Sequence, residues 1–234
     1  MRKVALIGAN GQLGTDLMRE LQKAHQVVPL TRKDLDICDH DRTREILTRL
    51  KPDVLINTAA YHRVDELEDQ TDKAFQVNAT AVRNLAKVCQ DLGQVLVHIS
   101  TDYVFGGDRS RAMSYREDDV PCPINVYGVS KLAGEYFVRD LCKHHFVVRS
   151  SGLYGVAGSS GKGGNFVELM LRLAGEGKPI RVVADQRLTP TYTLHLPGKS
   201  ALLSLQINTG CTTLQVKARV PGTSLRQRYS TKAR

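Results

Sequence analysis

The chain has 234 residues, 41% hydrophobic and 24% charged, the profile of an ordinary globular protein with room for one large domain or two small ones. Its longest apolar runs fall far short of the roughly 18–20 residues that a bilayer span needs, which excludes a membrane-spanning helix. The net charge of +9 invites a nucleic-acid reading, but His195–Arg234 holds seven Lys or Arg and no carboxylate, while the first 194 residues carry 26 basic against 24 acidic groups, so the basicity belongs to a tail on a nearly neutral body.

The body alternates strands and helices. Lys3–Ile7 is a short apolar run ending in glycine, which predicts a buried strand. Gln12–Ala24 has leucines at helical spacing. Gln26–Leu30 reads as a second strand, Asp41–Leu50 as a helix and Asp53–Asn57 as a third strand. Thr71–Leu92 predicts one long helix, with Ala74, Val77, Ala81, Leu85 and Val88 on a single stripe. Gln94–Ser100 reads as a fourth strand, Asn125–Leu141 as a helix and Phe146–Arg149 as a fifth strand. Such alternation predicts a doubly wound, Rossmann-type parallel sheet with helices on both faces. There is no internal repeat and no low-complexity linker. The N-terminus lacks the apolar core and cleavage site of a signal peptide, so a cytoplasmic location is expected. Five scattered cysteines with no zinc spacing predict reduced structural thiols.

Three motifs carry chemistry. Gly8-Ala9-Asn10-Gly11-Gln12-Leu13-Gly14 joins the first strand to the first helix. Glycines there permit a tight turn and a close backbone approach to a pyrophosphate, which the helix N-terminus attracts. The second strand ends in Leu30-Thr31-Arg32-Lys33, two cations where an acid would select NAD. That favours NADPH, with NADH open and a merely solvated basic loop as the alternative. Asp36 and Ile37 are placed to flank the adenine.

Tyr127-Gly128-Val129-Ser130-Lys131 is a YxxxK motif. Spacing of four puts phenol and ammonium on one helix face. A neighbouring cation is expected to lower the phenol's pKa, and the pair can hand a proton to a carbonyl oxygen. Taken alone, the motif also fits a solvated helix face. Ser100-Thr101-Asp102 after the fourth strand offers a hydroxyl to the same substrate oxygen.

These motifs in this order resemble the extended short-chain dehydrogenase/reductase superfamily. A closer resemblance runs through Asp53–Tyr61, Val64-Asp65, Glu68, Asn78-Ala79, Ser100–Phe105, Pro123–Gly128, Lys131–Glu135, Arg149-Ser150-Ser151, Gly163–Phe166, Asp185-Gln186 and Pro190-Thr191-Tyr192. Together these are similar to the dTDP-4-dehydrorhamnose reductase family over about residues 1–196. In related sugar dehydratases Asp-Glu follows the catalytic threonine; here Asp102-Tyr103 follows Thr101, the reductase pattern. The resemblance implies an NAD(P)H-dependent oxidoreductase that reduces the 4-keto group of dTDP-6-deoxy-L-lyxo-4-hexulose to dTDP-L-rhamnose. It implies Thr101, Tyr127 and Lys131 as catalytic. It implies Gly8, Asn10, Gly11, Gln12, Leu13, Gly14, Arg32, Asp36, Ile37, Ala59, Ala60, Tyr127 and Lys131 as cofactor-binding, and Tyr103 and Asn165 as substrate-binding. It leaves Mg2+ and a homodimer open, although no metal site is recognisable, and it implies a dTDP-sugar rather than a nucleic acid or membrane as partner. A non-catalytic relative of the methionine adenosyltransferase regulatory subunit is the alternative.

Two departures stand out. Gly152 replaces a tryptophan common in the family, and the chain has no tryptophan at all. The tail after Leu196 loses the resemblance. Restoring one base within Leu196-Pro197-Gly198-Lys199 permits Leu-Ala-Arg-Lys, and the shifted frame through Thr209–Thr231 permits G-L-Y-H-V-T-S-Q-G-E-G-A-W-Y-E-F-A-A-K-I-F-D, a family-like continuation. The expected organisation is therefore a dinucleotide-binding domain at 1–150, a partial sugar-nucleotide-binding region at 151–196 and a frameshifted, non-native basic tail at 197–234. The tail should bury little apolar area, leaving the C-terminal substrate-binding subdomain incomplete.

Overall fold

The computed structural model describes residues 1–108, 110–111, 113–158, 164–182, 189–198 and 212–215. Its centre is a six-stranded, wholly parallel sheet in the order β2-β1-β3-β4-β5-β8. The strands are β1 (Lys3–Ile7), β2 (Gln26–Leu30), β3 (Val54–Asn57), β4 (Val95–Thr101), β5 (His145–Ser150) and β8 (Thr212–Gln215). Strand order reverses on either side of β1, so the crevice beyond the carboxyl ends of β1 and β3 is where a doubly wound sheet binds ligands.

Alternating strand residues bury on both faces, as a sheet covered on two sides requires. Ala5, Ile7, Leu55, Leu96 and Val147 pack under α2 (His40–Leu50), α5 (Ala81–Asp91) and α6 (Val126–Leu141). Val4, Leu6, Val54, Ile56, Val97 and Val148 pack against Leu13, Leu17 and Leu21 of α1 (Gln12–Leu21). Leu196, in the short α8 (His195–Gly198), completes that second layer at 2% exposure. Its burial stabilises the fold by about 1.5–3 kcal/mol.

The expected strands and helices are present, most with shifted ends but Lys3–Ile7 and Gln26–Leu30 as expected, and one helix differs in kind. The stretch predicted as a single helix over 71–92 is α4 (Thr71–Phe75), a π turn (Gln76–Thr80) and α5. The wide turn lets Asn78 leave the regular ladder. Its side chain accepts from Tyr61 N (2.9 Å) and donates to Tyr61 O (2.9 Å) and Ser130 Oγ (3.1 Å). Its carbonyl lies so close to Gly134 that a Cβ there would collide with it. The π turn thus docks α6 against the fold through a glycine.

A smaller lobe follows β5. It contains β6 (Leu153–Tyr154) paired with β7 (Thr191–Tyr192), and α7 (Phe166–Gly175). Gly152 turns the chain into it with φ +42°, a conformation that any side chain, tryptophan included, would strain. Helix α7 buries none of its side chains, and Phe166, Val167, Leu169 and Leu171 are exposed.

The tail departs from expectation in one place. The backbone of Thr212–Gln215 pairs in parallel with β5, Phe146 opposite Thr212 and Arg149 opposite Gln215. An otherwise open edge strand is a template for any β-prone segment, and two adjacent threonines suit it. The rest of the expected tail beyond residue 198, like Gly163, Asp185 and Gln186, lies outside the described residues.

Candidate active site

The glycine loop closes on the crevice as expected. Gly8 has φ +78°, and a Cβ there would strike the Thr58 hydroxyl at the end of β3. A Cβ on Gly14 would strike the Gly8 carbonyl, so α1 can start this close to the loop only as glycine. Gly11 is the N-cap of α1 and has no side chain to cap it, leaving first-turn N–H groups for an anionic ligand. A pyrophosphate fits this cradle. Ala59 and Ala60 follow β3 beside it, Asn57 Oδ1 accepting from Ala59 N at 3.1 Å. Asn10 is exposed in the loop.

Other expected cofactor contacts are placed differently. Leu13 and Ile37 are buried in the two core layers, so their side chains face protein. Gln12 points to the smaller lobe, donating to Leu153 O at 2.8 Å and accepting from Asn165 Nδ2 at 3.1 Å. Arg32 is exposed and pairs with Asp36 at 3.2 Å. Asp36 also accepts from Cys38 N (3.0 Å), and this bond, ahead of Arg32, holds its carboxyl below the usual range.

The expected catalytic residues converge at the carboxyl end of β4. Thr101 ends that strand, accepts from Tyr103 N (3.2 Å) and donates to Asp102 Oδ1 (3.3 Å). Tyr127 lies in the first turn of α6, which Asn125 caps by accepting from Gly128 N at 2.7 Å. A Cβ on Gly128 would strike the Tyr103 carbonyl, so this first turn lies directly on the Thr101–Tyr103 segment. The Tyr127 ring meets Tyr103 edge-on, the centroids 5.5 Å apart.

The electrostatics correct one expectation. Burial pushes the Tyr127 phenol above its ordinary pKa; the nearby Thr101 side chain pulls the other way, while Asp102 and Tyr103 add to the rise. Lys131 does not lower it. That side chain is 1% exposed and turns to the sheet, donating to Ile99 O (2.8 Å) and meeting His98 Nε2 at 3.2 Å. Burial lowers Lys131 from 10.5 to about 8, against an opposing pull from Glu135. Burial likewise raises Asp102, against the hydrogen bond it accepts from Thr101.

This shift has a sign that can be measured. Between about pH 8 and 10.5 the unfolded chain binds the Lys131 proton more tightly than the folded one, so this group's cost to the fold is fully present below pH 8 and fades towards 10.5. A Lys131→Met variant is therefore expected to gain more stability over the parent at pH 7 than at pH 10. Each unit of the shift is worth about 1.4 kcal/mol. Urea unfolding at both pH values measures the gap, and a gap independent of pH contradicts it.

Asn165, expected at the sugar nucleotide, is occupied within the protein. It caps α7 by accepting from Glu168 N (3.0 Å), and its amide donates to Gln12 Oε1 and Gly155 O (3.2 Å). Among the described residues no group of three or more His, Cys, Asp or Glu side chains could hold a metal ion, so nothing here supports a Mg2+ site.

The sequence assigns no role to His98, Asn57, Glu135 or Arg149, although the last three lie in the stretches that carry the family resemblance. Glu135 and Arg149 are 1% and 3% exposed, 2.6 Å apart, and Ser100 Oγ also donates to Glu135. The available signal was a histidine inside an apolar β4 and an opposite-charge pair on elements predicted to be buried.

The family model for the RmlD substrate binding domain matches residues 1–207. The spore coat polysaccharide biosynthesis protein SpsK of Bacillus subtilis is 42% identical over 84% of this chain and 67% of its own length. A dTDP-4-dehydrorhamnose reductase of Mycolicibacterium smegmatis is 42% identical over 87% of this chain and 60% of its own. The solved dTDP-4-dehydrorhamnose reductase of Bacillus anthracis, in complex with NADP, superposes with a TM-score of 0.84 at 40% identity, covering 93% of this chain and 75% of that one. The chain spans 60–67% of the length of these two curated relatives.

Proposed function

The chain belongs to the RmlD substrate binding domain family, that of the dTDP-4-dehydrorhamnose reductases, and on that footing we propose that it is the dinucleotide-binding and catalytic part of an NADPH-dependent reductase. Its substrate is a dTDP-linked 4-keto-6-deoxysugar, dTDP-6-deoxy-L-lyxo-4-hexulose, and its product dTDP-L-rhamnose. The observation that carries this reading is the convergence of Thr101, at the carboxyl end of β4, and Tyr127, in the first turn of α6 that lies on the Thr101–Tyr103 segment, on the same edge of the sheet as the glycine cradle. The bound dinucleotide supplies hydride. Thr101 and Tyr127 hold the ketone oxygen, and Tyr127 donates its phenolic proton to it. A raised phenol pKa suits this role, since reduction needs the phenol protonated before the step. Lys131, carrying a proton affinity near neutrality, is the group that returns a proton to Tyr127. No contact in the site favours the regulatory alternative.

Arg32 is the candidate for the 2′-phosphate, once it exchanges Asp36 for that ligand. Arg32→Ala is expected to weaken NADPH binding about tenfold, the worth of one charge-assisted contact near 1.4 kcal/mol, and to leave NADH unchanged. Titration of the reduced cofactors by their fluorescence measures both, and an equal loss for both contradicts the assignment.

The exposed apolar face of α7 supports the reading that the substrate lobe is incomplete and that the sequence after about Pro197 is out of frame. This chain is then expected to retain cofactor affinity but to turn over weakly or not at all. A version with the family frame restored should reduce the 4-keto sugar nucleotide with NADPH. The coding sequence tests the frame directly: codons that forbid the shifted peptide remove the idea. Turnover of the present chain equal to that of a full-length relative removes the predicted impairment.

A further inference from the structure

The buried polar chain behind the active site has a direction that follows from its donors and acceptors. Asn57 and His98 are opposed on neighbouring strands β3 and β4, both fully buried. Asn57 Oδ1 is committed to Ala59 N (3.1 Å), which fixes the amide and turns its NH2 to His98 Nδ1 at 3.2 Å. Nδ1 must therefore accept. A neutral imidazole has one N–H, so its proton sits on Nε2. Nε2 in turn faces Lys131 Nζ at 3.2 Å, while Nζ donates to Ile99 O at 2.8 Å.

A ring N–H can donate to a free amine but not to an ammonium. The arrangement is satisfied throughout only when Lys131 is uncharged. If Lys131 takes up a proton here, either two N–H groups oppose each other at Nε2, or the ring proton moves to Nδ1 and opposes the Asn57 amide. In a buried site an unmet or opposed donor is costly.

We propose that His98 is a positioning residue for Lys131: held in its Nε2–H form by Asn57, it keeps the lysine against the sheet as a free amine, so that gaining a proton and leaving His98 are one event. The proposal rests on the reading of Lys131 as the proton-handling lysine of the reductase site. Its effect there is to couple the lysine's charge to its position. The charged Lys131 swings away from β4, and the uncharged one is withdrawn from the site.

The other groups around Lys131 do not supply this coupling. Glu135, one turn further along α6, favours the ammonium, but its carboxylate is engaged by Arg149 of β5 and by Ser100 of β4. Asn78, which meets α6 from the π turn through Ser130, is uncharged. Tyr127 and Asp102 act on each other at the outer end of the site. The His98 ring itself stays neutral, because burial and then the nearby lysine hold it well below the usual histidine range.

The test reads protonation directly in the full chain and needs no turnover, so its outcome is separate from that of the reductase assignment. Nitrogen NMR of ring-labelled histidine, assigned with His98→Gln, should find the His98 proton on Nε2 throughout the neutral range. Carbon NMR of Cε-labelled lysine, assigned with Lys131→Met, gives the Lys131 titration. In His98→Gln the side-chain amide is free to turn its carbonyl to the lysine, which the ring held by Asn57 cannot do. The Lys131 midpoint should therefore rise by about one pH unit, tenfold in proton affinity. A proton on Nδ1 in the parent, or the same Lys131 midpoint in parent and variant, overturns the proposal. The parent's ring measurement decides even if the variant does not fold.

Discussion

In the frame-restored chain, Tyr127→Phe is expected to lower kcat/KM for the 4-keto sugar nucleotide by about 10²–10⁴-fold, the usual worth of a positioned general acid. NADPH affinity should stay near that of the parent, because the ring remains packed edge-on against Tyr103 and only the oxygen is lost. Steady-state kinetics and a cofactor titration on the same preparation separate the two. Thr101→Val should show the same pattern more weakly, since in this reading Thr101 shares the ketone oxygen but gives up no proton. A Phe variant that loses cofactor affinity in proportion to turnover would mean that the phenol binds rather than reacts.

The second large effect concerns stability. Glu135→Ala is expected to destabilise the fold by about 3–5 kcal/mol, because it leaves Arg149 buried without its carboxylate. Both nitrogens Nε and Nη2 of Arg149 bond to Glu135, at 3.0 and 2.6 Å, and its guanidinium also lies over the Phe105 ring, 5.0 Å from the centroid. The pair ties α6 to β5 one turn beyond Lys131, so the helix that presents Tyr127 depends on it. Removing both partners, Glu135→Leu with Arg149→Met, should cost much less than Glu135→Ala alone, since no uncompensated charge remains. Urea unfolding of the single and double variants measures this. A single variant that unfolds with the parent would show that water already reaches the guanidinium.

Much of this architecture was legible in the sequence because short apolar strands and amphipathic helices alternate with little interruption. Lys3–Ile7 and Gln26–Leu30 have the predicted ends, the first closed by Gly8. The long helix over 71–92 was legible only in part. Its apolar stripe continues through the π turn, and a one-residue widening leaves periodicity almost unchanged while it frees Asn78 to bond across to Ser130. The short elements of the smaller lobe carry too few residues to show a period, while the start of α7 is legible in its Asn165–Glu168 capping box.

The site was legible in its identities and less so in its contacts. Thr101 and the first turn of α6, which carries Tyr127, lie together at the carboxyl end of β4. The electrostatic role first given to Lys131 does not hold in this structure, because helical spacing places a side chain on a face but does not say which way a long, flexible one turns. Here β4 offers it the Ile99 carbonyl and the His98 ring. Asn165 and Gln12 are similar cases. Each has the chemistry to hold a ligand, and each spends it joining the glycine loop to the smaller lobe at 3.1 Å. Arg32 and Asp36 are four residues apart in an exposed turn, and a sequence shows both charges without showing that they meet.

The most direct measurement is NADPH consumption by the frame-restored chain in the presence of the dTDP-linked 4-keto-6-deoxysugar, with the sugar product followed in parallel. The account predicts one NADPH oxidised for each ketone reduced, and none oxidised without the sugar. A chain that binds NADPH in its glycine cradle yet leaves the ketone untouched contradicts it.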